Sequence, residues 1–197
     1  MKESVTAVFV NSDNEILIIK RHNHLRAFPG YTAFPGGKVD QDDRDKDISF
    51  SHDLLDHYEA YLVIALQREL EEELGFDLYK ACKEAHITKI SHLGIAVTPE
   101  FNPYRYANHY FKINLANNYK LKISEVANEE MQSWGFESTV SIIGKYNQAE
   151  ILAVPPTIKL IQQLRENSDH DLPIDYKLPF DEKFEVPMIE SIKGVRQ

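Results

Sequence analysis

The first apolar runs along the chain, at 6–10 and 15–20, are short and separated by four turn-forming residues at 11–14, a pattern that predicts a β-hairpin. A stretch punctuated by Pro29-Gly30 and Pro35-Gly36-Gly37 follows, which predicts a loop and a short strand in tight turns. From about Ser51 the pattern turns helical. Val63, Leu66, Leu70 and Leu74 recur at steps of three and four, one apolar stripe that Gly75 closes. Further strands are expected at 88–97 and 108–115, a helix at 138–146, and a last helix from Pro155-Pro156 to about Arg165. Strands and helices alternate without a repeat, so the expected class is α/β or α+β, in one domain spanning 1–166. Residues 167–197 carry Pro173, Pro179 and Pro187 and no period, the pattern of an extended tail or linker.

Charge then narrows the partners. Lys and Arg number 22 against 31 Asp and Glu, a net charge of −9. Such a surface repels phosphate backbones and anionic lipids, so nucleic acid and membranes are poor partners. An anionic small molecule would need local basic groups or bound cations. The single cysteine, Cys82, excludes a disulfide framework and a cysteine zinc site and suits a reducing compartment. The first ten residues lack the look of a signal peptide, and no run approaches the ~18 apolar residues of a membrane span. The cytoplasm is the expected location. Asp43, Asp45 and Asp47 alternate like the start of a calcium loop, but Ile48 and Leu54 stand where its glycine and glutamate belong.

The most informative segment runs from Leu66 to Phe76. Glu69, Glu72 and Glu73 stand at i, i+3 and i+4, on one side of the predicted helix, with Glu71 directed elsewhere. Two readings are open: a solvated acidic face, or a crowd of hard oxygen donors gathered for Mg²⁺ or Mn²⁺. Arg68 lies four residues before Glu72 and can hold a carboxylate in place.

Gly37, followed by Arg68-Glu69-Leu70-x-Glu72-Glu73-x-Gly75-Phe76, resembles the Nudix box. The second half matches at every fixed position. The first half is about seventeen residues longer than usual, an insertion at about 44–60 that includes part of an acidic stretch. Asp43 stands where the family has its mid-motif glutamate. The resemblance implies an α/β/α sandwich with a mixed sheet and hydrolysis of a nucleoside diphosphate linked to another group. It implies that Glu69, Glu72 and Glu73 hold Mg²⁺ or Mn²⁺, that a carbonyl at Gly36 or Gly37 adds a ligand, and that Arg68 orients the glutamates. Glu129 and Glu130 fall where relatives often carry a further acid, and spacing favours Glu130 as the base.

Arg21, Leu25, Arg26, Gly30, Ala33 to Gly37 and Asp40 fall in register with the signature of the Nudix coenzyme A diphosphatases, with His22 and Phe28 departing from it. This resemblance implies that Arg21, Arg26 and the Gly36 turn bind a CoA-like nucleotide diphosphate. The long box and the 98–111 region look most like the acyl-CoA diphosphatase branch, with Arg105 as a further binding residue. Two alternatives stay open: a pyrophosphatase for ADP-ribose or a similar nucleotide, and a nucleotide-sensing module of a larger protein. Monomer and homodimer are both compatible with the sequence.

Overall fold

The two N-terminal runs form β1 (Lys2–Val10) and β2 (Ile16–Arg21), paired antiparallel at Val10↔Ile16. The turn is built by Asn11, whose side-chain oxygen accepts from the amides of Asp13 (3.0 Å) and Glu15 (2.8 Å). The computed structural model describes residues 1–98, 105–124, 130–166 and the backbone of 174–176. After the hairpin come β3 (Tyr31–Ala33), β4 (Gly36–Lys38), α1 (Gln41–Asp45), α2 (Ala60–Leu74) and α3 (Leu78–Lys83). They are followed by β5 (Ile87–Val97), β6 (Tyr106–Leu115), β7 (Met131–Glu137), α4 (Thr139–Asn147), β8 (Leu152–Ala153) and α5 (Pro155–Glu166). A short β9 (Ile174–Tyr176) pairs parallel with β5; the rest of the expected tail lies outside the described residues.

The strands make one mixed sheet in the order β8-β3-β2-β1-β6-β5-β9, with β4 added to β1 and β7 to β2. Its faces follow from period-two alternation. Val5, Ala7, Phe9, Leu17, Ile19, Phe111 and Ile113 point to one side, where they bury Leu62, Val63, Leu66, Leu70 and Leu74 of α2. Val8, Ile16 and Tyr110 point to the other and meet Ile142 and Ile143 of α4 and Ile158, Leu160 and Ile161 of α5. Each large side chain so buried contributes about 1.5–3 kcal/mol. Helices therefore cover both faces of the sheet, as the α/β/α expectation required.

The helix expected from Ser51 begins instead at Ala60. The 51–58 segment forms turns, with the His52 carbonyl accepting from Leu55 (2.8 Å) and Asp56 (3.0 Å). Its apolar residues serve as anchors rather than as a helical stripe. Leu55 is buried, the Tyr58 ring meets Phe111 edge-on, and the Tyr58 hydroxyl donates to the Ile90 carbonyl (2.9 Å). The insertion is thereby fastened to β5 and β6. Sequence reasoning also missed α1 and α3, too short to show a period, and β7, whose polar and exposed residues mask its strand character.

Candidate active site

The apolar stripe of α2 fixes its rotation on the sheet, and Gly75 ends it in the left-handed conformation (φ 65°), its amide donating to the Glu71 carbonyl at 2.9 Å. That rotation turns Glu69 and Glu73 inward toward β4 and leaves Glu71 exposed. β4 takes the edge of β1 that β2 has left, with Val5↔Gly37 and Thr6↔Gly36. Close approach of backbone requires the first glycine, and the second leaves room for a carboxylate. A Cβ on Gly36 (φ 140°) would overlap the Val5 carbonyl, and one on Gly37 would overlap the Glu69 carboxylate. The Gly36 amide donates to Glu73 Oε2 at 2.8 Å.

Arg68 is the hub of the acidic ridge. Its Nε and Nη2 grip both oxygens of Asp43 (3.1 and 2.8 Å), and Nη1 donates to Glu69 (2.8 Å) and Glu72 (3.2 Å). Nη2 also donates to the Lys38 carbonyl (2.7 Å). Asp43 is fully buried and accepts from the Asp40 amide (2.8 Å), closing the first turn of α1 in a capping box. The Asp40-x-x-Asp43 spacing was the sequence signal for that arrangement, whereas the Lys38 carbonyl left none. Burial by itself would raise the Asp43 carboxyl, but the guanidinium and the amide hold it below its ordinary range.

Glu73 behaves oppositely. Burial, reinforced by the charges of Glu69 and Glu130, pushes it up to about 8 against the pull of the Gly36 amide and Arg21. Glu69 is raised too, burial again outweighing Arg68. Among the described residues no three His, Cys, Asp or Glu side chains are gathered to hold an ion as they stand, because Arg68 occupies the space between Glu69 and Glu72. The donor set nonetheless fits a hard dication. Glu69 and Glu73 are hard oxygen donors turned inward beside the glycines of β4, with Glu72 exposed next to them, and burial favours the protonated form of Glu73, which a cation beside it would oppose.

Glu130, at the start of β7, accepts from Arg21 Nη2 at 3.3 Å, and both act electrostatically on Glu73. The structure thus brings Arg21 and Glu130 to the α2 ridge. Arg26 is exposed on the loop after β2. Arg105 is exposed just before β6, its carbonyl accepting from the Lys2 amide (3.2 Å). Glu129 lies outside the described residues.

A mixed sheet between helical layers, with a carboxylate helix seated on a glycine pair, defines the Nudix class of fold. The NUDIX domain family model matches residues 1–139, and the chain belongs to that family. It is a Nudix hydrolase; such enzymes act on nucleoside diphosphate derivatives and use divalent cations such as Mg²⁺ or Mn²⁺. Among solved structures it is similar to a NUDIX hydrolase from Alicyclobacillus acidocaldarius, with 20% identity, TM-score 0.64, and 83% of this chain and 90% of that one covered. A MutT protein from Methanosarcina mazei Go1 gives 18% identity and TM-score 0.52 over 86% and 96% of the two chains. The NUDIX domain of Shewanella oneidensis NrtR, solved with ADP ribose, gives 15% identity and TM-score 0.52 over 84% and 89%. No curated protein matches the sequence. Among the described residues no helix is long and apolar enough to cross a membrane.

Proposed function

We propose that the chain hydrolyses the diphosphate of CoA or acyl-CoA, giving adenosine 3′,5′-bisphosphate and (acyl-)4′-phosphopantetheine. The observation that carries the reading is the docking of Glu69 and Glu73 on Gly36 and Gly37 of β4, with Arg21 and Glu130 drawn to the same place. The CoA signature in the sequence supplies the substrate.

Glu69, Glu72 and Glu73, with the Gly37 carbonyl, would hold Mg²⁺ or Mn²⁺. When bound, these ions neutralise charge on the diphosphate and activate water for in-line attack on phosphorus. The chain's own groups do the rest. Arg68 restrains Glu69 beside Gly37 and draws Glu72 toward it. Arg21 sits between Glu130 and the site, where its guanidinium can pass from carboxylate to a substrate phosphate oxygen, a contact that suits its planar fork. Glu130 is half exposed at the rim and takes the proton of the attacking water. Arg26 and Arg105 meet the more distant phosphate or pantetheine portion. The cytoplasm, where CoA and a reduced Cys82 would both be found, is the fitting location.

Product analysis with CoA, acyl-CoA, ADP-ribose and a dinucleotide in Mg²⁺ and in Mn²⁺ tests the reading. The expected result is release of adenosine 3′,5′-bisphosphate; turnover of ADP-ribose without turnover of CoA sinks the substrate assignment. That second outcome has its own support, since a similar fold has been solved holding ADP ribose.

A further inference from the structure

The loop from His22 to Gly30 departs from what burial and backbone sterics favour. Phe28 sits in the left-handed region (φ 50°), which disfavours bulky side chains, and it exposes 55% of its surface. Neither cost is recovered in the core. The loop is nevertheless built to hold that conformation. Tyr31 donates its amide to the Phe28 carbonyl (3.3 Å), and Leu25 donates to His22 (3.3 Å). Gly30 (φ 71°) leaves room for the Asn23 side chain, which a Cβ there would strike. The ring of Phe28 stands 5.5 Å from that of Tyr31, tilted by 60°, so the two form an aromatic corner.

That corner adjoins the carboxylate site. Arg21 Nε donates to the Ala27 carbonyl (3.3 Å), one residue before Phe28, while the same guanidinium reaches Glu130. Residues 16–39 contain no Asp or Glu and carry Lys20, Arg21, Arg26 and Lys38, in a chain whose net charge is −9. An anion with a planar, apolar end would meet Arg21, Arg26 and an exposed ring at one loop.

We propose that Phe28, with Tyr31 beside it, is a stacking platform for the nucleobase of the substrate. The inference rests on the nucleoside-diphosphate reading of the neighbouring site and adds the residue that recognises the base. Stacking is sequence-tolerant because every base has a π-face, so the platform favours nucleotides over base-free diphosphates without selecting one base by hydrogen bonds.

The test compares Phe28→Ala and Phe28→Trp with the wild type, after circular dichroism and thermal unfolding show all three equally folded. Steady-state kinetics use CoA, ADP-ribose and the base-free P1,P2-dimethyl diphosphate, and calorimetry measures AMP binding. Phe28→Ala is expected to raise KM for CoA or ADP-ribose and to weaken AMP binding by about tenfold, with kcat within about twofold. Phe28→Trp is expected to restore both, and dimethyl diphosphate turnover to stay unchanged. An equal loss on dimethyl diphosphate would reduce Phe28 to a loop-shaping residue and overturn the proposal, as would AMP affinity that is the same in all three proteins. If the wild type hydrolyses none of these substrates, the proposed CoA reading fails by itself, and the AMP comparison still decides the platform.

Discussion

Two polar clusters lie within reach of α1 and α2, and they are balanced differently. Around Glu3 one carboxylate is met by Arg44, by the Tyr61 hydroxyl (3.1 Å) and by His109 Nε2 (3.2 Å), while His109 Nδ1 bonds His92 (3.3 Å). Arg44 also lies 4.3 Å over the Tyr61 ring. Burial would raise Glu3, but these partners hold it below its ordinary range; burial lowers His109 against the pull of Glu3. Around Arg68 the ratio is reversed. A single guanidinium faces Asp40, Asp43, Glu69 and Glu72, with Glu73 behind them. The Glu3 cluster is complete as it stands. The Arg68 cluster is short of positive charge and is completed by a proton or a cation. Charge imbalance, not the number of polar groups, separates the region proposed to work from the region that holds the fold together.

That contrast can be broken in several places. The largest effect is expected for Glu73→Gln, which keeps the shape but removes the charge: kcat should fall by about 10²–10⁴. The metal-free fold should not suffer, because the wild-type carboxyl is already protonated at neutral pH. Assays in Mg²⁺ beside thermal unfolding in a chelator check both halves, and an active Glu73→Gln enzyme would remove the functional side of the comparison. Next comes Arg68→Ala, which strands the buried Asp43 charge and should cost about 3–5 kcal/mol in urea unfolding.

The pH dependence should also divide the clusters. Glu73 is raised to about 8 in the fold, so what it adds to stability is full below its unfolded value and is lost as pH climbs through 8. Asp43 and Glu3 are lowered, so their contribution is present at neutral pH and is lost as pH falls below the ordinary carboxylate range. Chelated protein should lose on the order of a few kcal/mol from mildly acid to alkaline pH. Glu73→Gln should flatten the alkaline side, and saturating Mg²⁺ should do the same. The smallest change is expected for Glu3→Gln, about 1–3 kcal/mol of stability with kcat within about twofold, measured by denaturant titration and by assay. A larger loss of activity would mean that Arg44 transmits strain to Asp43, its neighbour in α1, and that the two clusters act as one.

The hairpin, the α2 stripe and the closing helices α4 and α5 were legible because each carries its period or its cap in a few consecutive residues. That Glu69, Glu72 and Glu73 share one side of α2 was legible for the same reason, Glu72 and Glu73 lying three and four residues after Glu69. The turns at 51–58 were not, since leucines and a tyrosine that pin an insertion to β5 and β6 have the same local composition as an amphipathic helix. Nor could the exposed pose of Phe28 be read, because nothing in the sequence itself marks a phenylalanine held at positive φ.

Along the chain, local spacing alone determined which residues bear charge and which face of α2 they share. Only the tertiary structure decided that Glu73 is buried, that Arg68 locks onto a carboxylate 25 residues away, and that Arg21 and Glu130, separated by 109, meet beside them. The reason is physical. Helical phase is set by bonds between near neighbours, whereas burial and long-range charge pairing depend on how β4 and β7 are laid against the strands beside them.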